Sequence, residues 1–231
     1  MRLFYDPNIN PTSPQHTLSE EESKHIIKVL RQQTGDQIGL LDGKGSLFTT
    51  EIIEAHPKKC VVKLVNQDKE PKQDLDIHIV VAPTKQNERI EWFVEKATEI
   101  GLTELTLMNC ANSERNRIKI DRLEKKAVSA MKQSNRKFLP KINELTDFNS
   151  FVIDNPNGLI AHCYELEKND FNEVFQVSGC PILIGPEGDF TDEEIAFAIE
   201  NGYKTVTLGK NRLRTETAAL YACMKAKIIS E

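Results

Sequence analysis

Gly185 and Gly188 bracket a proline in "GPEGDFT", residues 185–191, between an apolar run at 182–184 and the helix-start pattern Thr191…Glu194. Glycines there permit backbone conformations and close approaches closed to other residues, and Pro186 stiffens the loop, which suits it to presenting amides and carbonyls to a flat ligand. A tight turn requires the same residues. Two more segments follow apolar runs in the same way: "AHCYE" after Ile160 and "GKNRLRTET" after Leu208. In an open α/β sheet such loops lie beyond the carboxyl ends of the strands, where helix N-termini and loop amides converge on ligands.

Charge is the second feature with chemical content. Residues 114–141 hold ten basic side chains and three acidic ones, so a chain of net charge −5 divides into a +7 segment and a −12 remainder. That asymmetry is the footprint of a phosphate-rich ligand on an acidic protein, or a solvated helix face.

Other chemistries are excluded. The first strand-to-helix turn of the second half, "APTKQNE", contains no glycine, against the G-x-G-x-x-G of dinucleotide folds. "GLLDGKGS" imitates a phosphate-binding loop but spaces its glycines wrongly and lacks Ser or Thr after Lys44. Neither GxSxG nor HExxH occurs, and no His, Cys and acidic residues have metal-ligand spacing, so no metal is expected. His25, His56, His78 and His162 stand alone, each reading as a surface or satisfied core histidine.

The elements that must position these loops change in texture once. Residues 1–70 read as a small β-rich domain. "SEEESKHIIKVLR" is a helix opened by a capping box, Ser19 to Glu22, and "QIGLLDG", "LFTTEIIE" and "CVVKLV" are strands. Residues 66–76, polar and proline-containing, read as the linker. From 71 to 231 strands alternate with helices: "IHIVVA", a helix with Asn87 as N-cap and Gly101 as C-cap, "LTLMN", a basic helix near 119–134, "GLIAH", "PILIG", a helix capped by Thr191 and Glu194, "KTVTLG", and a last helix over 215–229. Alternation implies a parallel sheet covered by helices, unknotted on general grounds. Trp92, Phe93 and Ala97 fall at helical spacing and are read as core.

The length of 231 residues allows two small domains. No apolar run approaches the roughly 20 residues of a membrane span, and "MRLFYDPNINP" lacks a signal peptide's apolar stretch, so a soluble cytoplasmic protein is expected. Cys60, Cys110, Cys163, Cys180 and Cys223 are odd in number and widely spaced, and are expected as buried free thiols.

Five motifs in order, "KATEIGLTEL", "NSERN", "KQSNRKFLP", "LIGPEGDFTDEEI" and "LGKNRLRTETAAL", resemble those of the RsmE-type 16S rRNA uracil-N3 methyltransferases of the SPOUT class. "MRLFY", "HIIKVLR" and "GDQIGLLDGKG" resemble that family's PUA-like RNA-binding domain, so the likeness covers nearly the whole chain. Two departures stand out. Asp189 occupies a position usually glycine, and Asn211 and Arg212 replace an arginine and an aliphatic residue.

The resemblance implies an α/β fold whose C-terminal SPOUT domain, 71–231, carries a deep trefoil knot in its parallel sheet, after a PUA-like domain, 1–70. It implies S-adenosyl-L-methionine as cofactor, held by His162, Gly185, Glu187, Gly188, Leu208, Gly209, Leu213, Thr215, Glu216, Thr217 and Ala218. It implies a homodimer acting on 16S rRNA of the small ribosomal subunit, the apolar "TAALYACMKAKII" supplying the interface. Arg2, Arg31, Lys85, Arg115, Arg117, Arg122 and Arg136 are expected against rRNA phosphates. The uracil imide must lose its N3 proton before it attacks, so cations near its carbonyl oxygens favour the reaction, and Arg214 and Arg136 are the catalytic candidates. Glu216 reads equally as a base or as a helix-dipole partner. A methyltransferase of the same fold with another RNA target would keep the cofactor loops and change the N-terminal domain. A non-catalytic RNA-binding protein would keep the basic segment and lose the loops.

Overall fold

The computed structural model describes residues 1–72, 75–177 and 179–230, which form two compact units. The first comprises residues 1–72 together with 131–139, and the rest of the described chain forms the second.

In the first unit β1 (Leu3–Tyr5), β2 (Gln15–Thr17), β3 (Gln37–Leu41), β4 (Ser46–Glu54) and β5 (Val61–Lys69) form one sheet in the order β1-β3-β4-β5-β2. All its pairs are antiparallel except β1 with β3. β4 alternates buried and half-buried residues along its length, as a strand with one face on a core must. α1 (Glu20–Lys24) is capped by Ser19, whose side chain accepts from the Glu22 amide, and runs into a π-helical turn (His25–Val29) that drives Ile26 into the core with Phe4, Leu40, Phe48 and Ile52. The linker reading of residues 66–76 is too generous at its start: Asn66–Lys69 pair with Ser46–Thr49 as the end of β5. Polar residues continue that strand because their backbone groups find ladder partners regardless of side chain. Gln73 and Asp74, also in the linker reading, lie outside the described residues. Residues 131–139 lie along the same sheet: the Gly45 amide donates to the Lys137 carbonyl at 3.0 Å, the Leu139 amide to the Gly43 carbonyl at 3.0 Å, and Lys137 pairs with Asp68 at 2.8 Å. Arg136, half-buried, belongs to this segment.

The second unit runs β6 (His78–Val81), α2 (Asn87–Ile100), β7 (Glu104–Asn109), α3 (Ile120–Gln133, its last turn grouping with the first unit), β8 (Lys141–Asp147), α4 (Phe148–Asp154), β9 (Leu159–Ala161), β10 (Asn169–Asp170), α5 (Phe171–Val174), β11 (Pro181–Ile184), α6 (Asp192–Glu200), β12 (Lys204–Thr207) and α7 (Thr215–Ile229). Its seven strands pair in parallel in the order β10-β12-β9-β11-β6-β7-β8. β6 and β11 are buried on both faces, as central strands between helices require.

α2 ends at Gly101, whose φ of 130° closes the helix as the sequence implied. Its start differs: Gln86 is the N-cap, and Asn87 is the first helical residue, its carboxamide instead accepting from Arg115. Phe93 and Ala97 are fully buried, whereas Trp92 remains 43% exposed, so the core reading fails for Trp92. Adjacent helical positions point about 100° apart, which turns Trp92 outward while Phe93 faces inward. Cys60, Cys110, Cys180 and Cys223 are buried free thiols, but Cys163 is exposed because it sits on a loop rather than in an element. Among the described residues no helix is long and apolar enough to cross a membrane.

Candidate functional site

The strand order assembles the site. β9 lies between β12 and β11, so the loops leaving their carboxyl ends, at 162–168, 208–214 and 185–190, are neighbours although far apart in sequence. β11 also borders β6, which brings the start of α2 to the same edge. Two adjoining lobes result. The first, about 350 Å³, is lined by His162, Lys168 and residues 207–213. The second, about 410 Å³, is lined by residues 184–187, Asp189, Arg212, Arg214 and Arg89. Ala161, Cys163, Arg212, Leu213 and Ala218 line both.

The loops brace one another. Thr215 donates its hydroxyl to the Gly185 carbonyl at 3.1 Å, the Tyr164 hydroxyl donates to the Phe190 carbonyl at 3.0 Å, and Arg212 donates to the Glu187 carbonyl at 3.3 Å. The Glu187 carboxylate accepts from the Lys85 amide at 3.1 Å. Thr191 and Glu194 form the full capping box of α6, and Glu194 also accepts from the Ala111 amide at 2.8 Å. Phe190, fully buried, anchors the 185–190 loop beneath: a Cβ on Gly185 would stand 3.1 Å from its ring, so only glycine fits there without displacing it. At Gly209 the φ of 122° demands glycine although space around it is open. Asp189 adopts φ 64°, a left-handed conformation that explains why glycine is usual there, and its carboxylate accepts from the Cys163 amide at 2.7 Å and the Phe190 amide at 2.9 Å.

His162 is only 7% exposed and neither ring nitrogen has a hydrogen-bond partner among the described residues. Burial, reinforced by the Lys168 charge and opposed by Asp189, holds its pKa below the ordinary histidine value, so the ring is neutral at pH 7. The Lys168 ammonium donates to the His162 carbonyl at 2.8 Å. A buried neutral imidazole without partners beside a cleft is a ready donor or acceptor for a ligand.

Of the residues expected at the cofactor, His162, Leu208 and Gly209 line the first lobe, Gly185, Glu187 and Thr215 the second, and Leu213 and Ala218 both. Gly188, Glu216 and Thr217 line neither. Gly188 backs onto Asn112, and Thr217 lies on the exposed face of α7. Glu216, in the first turn of α7, is buried with its Oε1 3.9 Å from Arg89 Nε. Arg214 is exposed at the N-cap of α7, and its guanidinium has no partner among the described residues. Sequence reasoning missed Lys168 and Arg89, each outside the quoted loops; the only signal for Arg89 was its place in the first turn of a helix following β6.

The expected phosphate contacts divide. Arg2 and Arg31 are exposed on the first unit, Arg31 at φ 57°. Lys85 pairs with Glu114 at 2.7 Å. Arg115 donates to the Asn87 side chain and the Lys85 carbonyl, and Arg122 pairs with the buried Glu91, so these two brace α2. Arg117 is exposed. Together with Lys119 it lines a cleft of about 400 Å³ beside the start of α2.

Comparison with known proteins gives the same outline. An RNA methyltransferase domain model matches residues 71–227, and an RNA methyltransferase PUA domain model matches 18–65. The chain is 26% identical to the ribosomal RNA small subunit methyltransferase E of Rickettsia conorii, over 99% of this chain and 95% of that one. Among solved structures, a probable rRNA-methyltransferase from Porphyromonas gingivalis is 41% identical with a TM-score of 0.90, covering 100% and 98% of the two chains. A ribosomal RNA small subunit methyltransferase E from Neisseria gonorrhoeae, bound to S-adenosyl methionine, is 26% identical with a TM-score of 0.83, covering 97% and 96%. On these matches the chain belongs to the RsmE-type RNA methyltransferase family.

Proposed function

We propose that the protein is an S-adenosylmethionine-dependent methyltransferase acting on N3 of a uridine in 16S rRNA of the small ribosomal subunit. The observation that carries this reading is the two-lobed cleft built by three sequence-distant loops at adjacent strand ends. The cleft suits the cofactor. Each lobe falls within the roughly 300–1,000 Å³ of small-molecule sites, Gly185 and Gly209 shape the loops where a side chain would crowd Phe190 or strain the backbone, and the buried ring nitrogens of His162 have no partner among the described residues. We assign its contacts to His162, Gly185, Glu187, Leu208, Gly209, Leu213, Thr215 and Ala218.

S-adenosylmethionine bound there supplies an electrophilic methyl group. The chain's own residues align the acceptor and stabilise its charge. Loss of the uracil N3 proton spreads negative charge onto the ring carbonyls, and Arg214, which lines the second lobe and has no partner among the described residues, is the cation for that charge. One such donor contributes about 2.7–4 kcal/mol to the transition state. In this reading residues 1–70 are the PUA-like RNA-binding domain and 71–231 the catalytic SPOUT domain, with the deep trefoil knot that the resemblance implies. Arg2, Arg31 and Arg117 are the exposed cations for rRNA phosphates. Thr217, Tyr221, Met224 and Ile228 form an outward stripe along α7 at spacings of four, three and four, which serves a homodimer interface in the cytoplasm.

Small subunits from a strain lacking the gene, incubated with the purified protein and S-adenosylmethionine, should gain a single 3-methyluridine in 16S rRNA, read by mass spectrometry of nuclease fragments. Gly185→Val should abolish it. A methyl group on another atom or another RNA overturns the assignment.

A further inference from the structure

Arg89 lies outside every loop expected to touch the cofactor, yet it lines the second lobe from the first turn of α2. Its surroundings are unusual for a surface arginine. Glu216 sits behind it, nine-tenths buried, with Oε1 3.9 Å from Arg89 Nε and Oε2 without a hydrogen-bond partner among the described residues. The Arg89 side chain is 30% exposed, and its terminal nitrogens have no acceptor among the described residues. A buried carboxylate needs a cation, and Arg89 is the one this geometry provides. The contact occupies the Nε side and leaves the planar fork of the terminal nitrogens available for a bidentate acceptor.

Because the lobes share Ala161, Cys163, Arg212, Leu213 and Ala218, one molecule can extend through both. The first lobe offers His162, Gly209 and apolar walls, which suit the adenosine part of the methyl donor. The first lobe also carries Lys168 and Lys210, whereas Arg89 and Arg214 line only the second, and a planar guanidinium suits the carboxylate of the donor's amino-acid tail. The other arginines there have different commitments: Arg212 donates to the Glu187 carbonyl, and Arg214 stands exposed at the head of α7.

We propose that Arg89, held by the buried Glu216, binds the carboxylate of the methionyl tail of the cofactor. Glu216 is then a positioning residue, and Arg214 remains free for the acceptor base. The inference rests on the cofactor reading above.

Calorimetric titration of the full-length protein with two probes tests it. S-adenosylhomocysteine carries the carboxylate, and 5′-methylthioadenosine keeps the adenosine and sulfur but lacks the amino-acid end. Arg89→Ala should weaken S-adenosylhomocysteine tenfold or more and change 5′-methylthioadenosine less than twofold. Arg89→Lys should restore only part of the affinity, because a point charge cannot fork. If Arg89→Ala alone is unstable, the double variant with Glu216→Gln removes the stranded buried charge and should show the same selective loss. Equal weakening of both probes makes Arg89 a structural brace and overturns the proposal. Unchanged affinity for both, with slower methyl transfer to rRNA, also overturns it by moving the anion to the acceptor. Failure of the wild-type protein to bind either probe overturns the cofactor reading itself.

Discussion

Asp189 offers a direct measure of how the cleft is held, because two opposing terms meet in one side chain. Its φ of 64° is strained for any residue with a Cβ, by about 1–2 kcal/mol for alanine, and its carboxylate accepts from the Cys163 and Phe190 amides. Asp189→Ala keeps the strain and loses both bonds; because the Cys163 amide is exposed and water can replace its acceptor, the loss is about 1–2 kcal/mol, the low end for charged acceptors. Asp189→Gly loses the same bonds but relieves the strain, against an entropic cost of about 0.5–1 kcal/mol. The melting order should be wild type, then Asp189→Gly, then Asp189→Ala, with gaps of about 2–4 °C per kcal/mol for a chain of this size. Cys163 lines both lobes, so both variants should also weaken S-adenosylhomocysteine by up to about tenfold, or 1.4 kcal/mol. Thermal denaturation by circular dichroism and calorimetric titration read the two effects. An alanine variant as stable as the glycine one refutes the backbone term, and a glycine variant as stable and tight-binding as wild type refutes the carboxylate term.

Arg214→Ala should leave S-adenosylhomocysteine affinity within a few fold and slow single-turnover transfer by about a hundredfold or more; raising the pH should recover part of the rate, and a wild-type rate removes Arg214 from the mechanism. Arg117→Ala should lower the salt slope of subunit binding by about 0.7–0.9, the share of one phosphate contact, without changing the melting temperature; an unchanged slope returns Arg117 to the solvated surface. Arg122→Ala strands the Glu91 carboxylate, only 7% exposed, and should cost about 1–3 kcal/mol in urea denaturation, largely regained in the double variant with Glu91→Gln. Burial depresses the pKa values of His78 and His162, so below about pH 6.5 the unfolded chain binds protons that the folded one refuses. Stability should therefore fall as pH drops from 7.5 toward 5.5, less steeply for His162→Asn; an identical slope in that variant clears His162.

Much of the second unit was legible because each signal was local. The capping box at Thr191 and Glu194, the closing glycine at 101 and the last helix at Thr215–Ile229 depend on residues within a few positions of one another. Trp92 was misread because a 3.6-residue period locates the buried stripe but not its edges. The short β10, α4 and α5 carry no periodic signal over two to seven residues. The grouping of residues 131–139 with the first unit was invisible for another reason: a backbone bridge between Lys44 and Phe138 leaves no mark on side-chain type. Arg89 and Lys168 were missed because their roles arise from strand order, which no residue states by itself.

Strand order also accounts for how the cleft keeps its shape. Besides the bonds within single loops, others run between segments: Thr215 to Gly185, Tyr164 to Phe190, Cys163 to Asp189, Asn112 to Asp189, Ala111 to Glu194, and Lys85 to Glu187. Breaking one such bond loosens two segments, so small changes at the rim should reach the cofactor. The complementary effect is on binding, since loops already fixed to one another lose less freedom when a ligand arrives, and each side chain that need not be ordered saves about 0.5–1.5 kcal/mol. Short, glycine-punctuated loops can then hold a flexible zwitterion without a deep pocket, because the sheet edge and its cross-braces supply the rigidity that the loops lack individually.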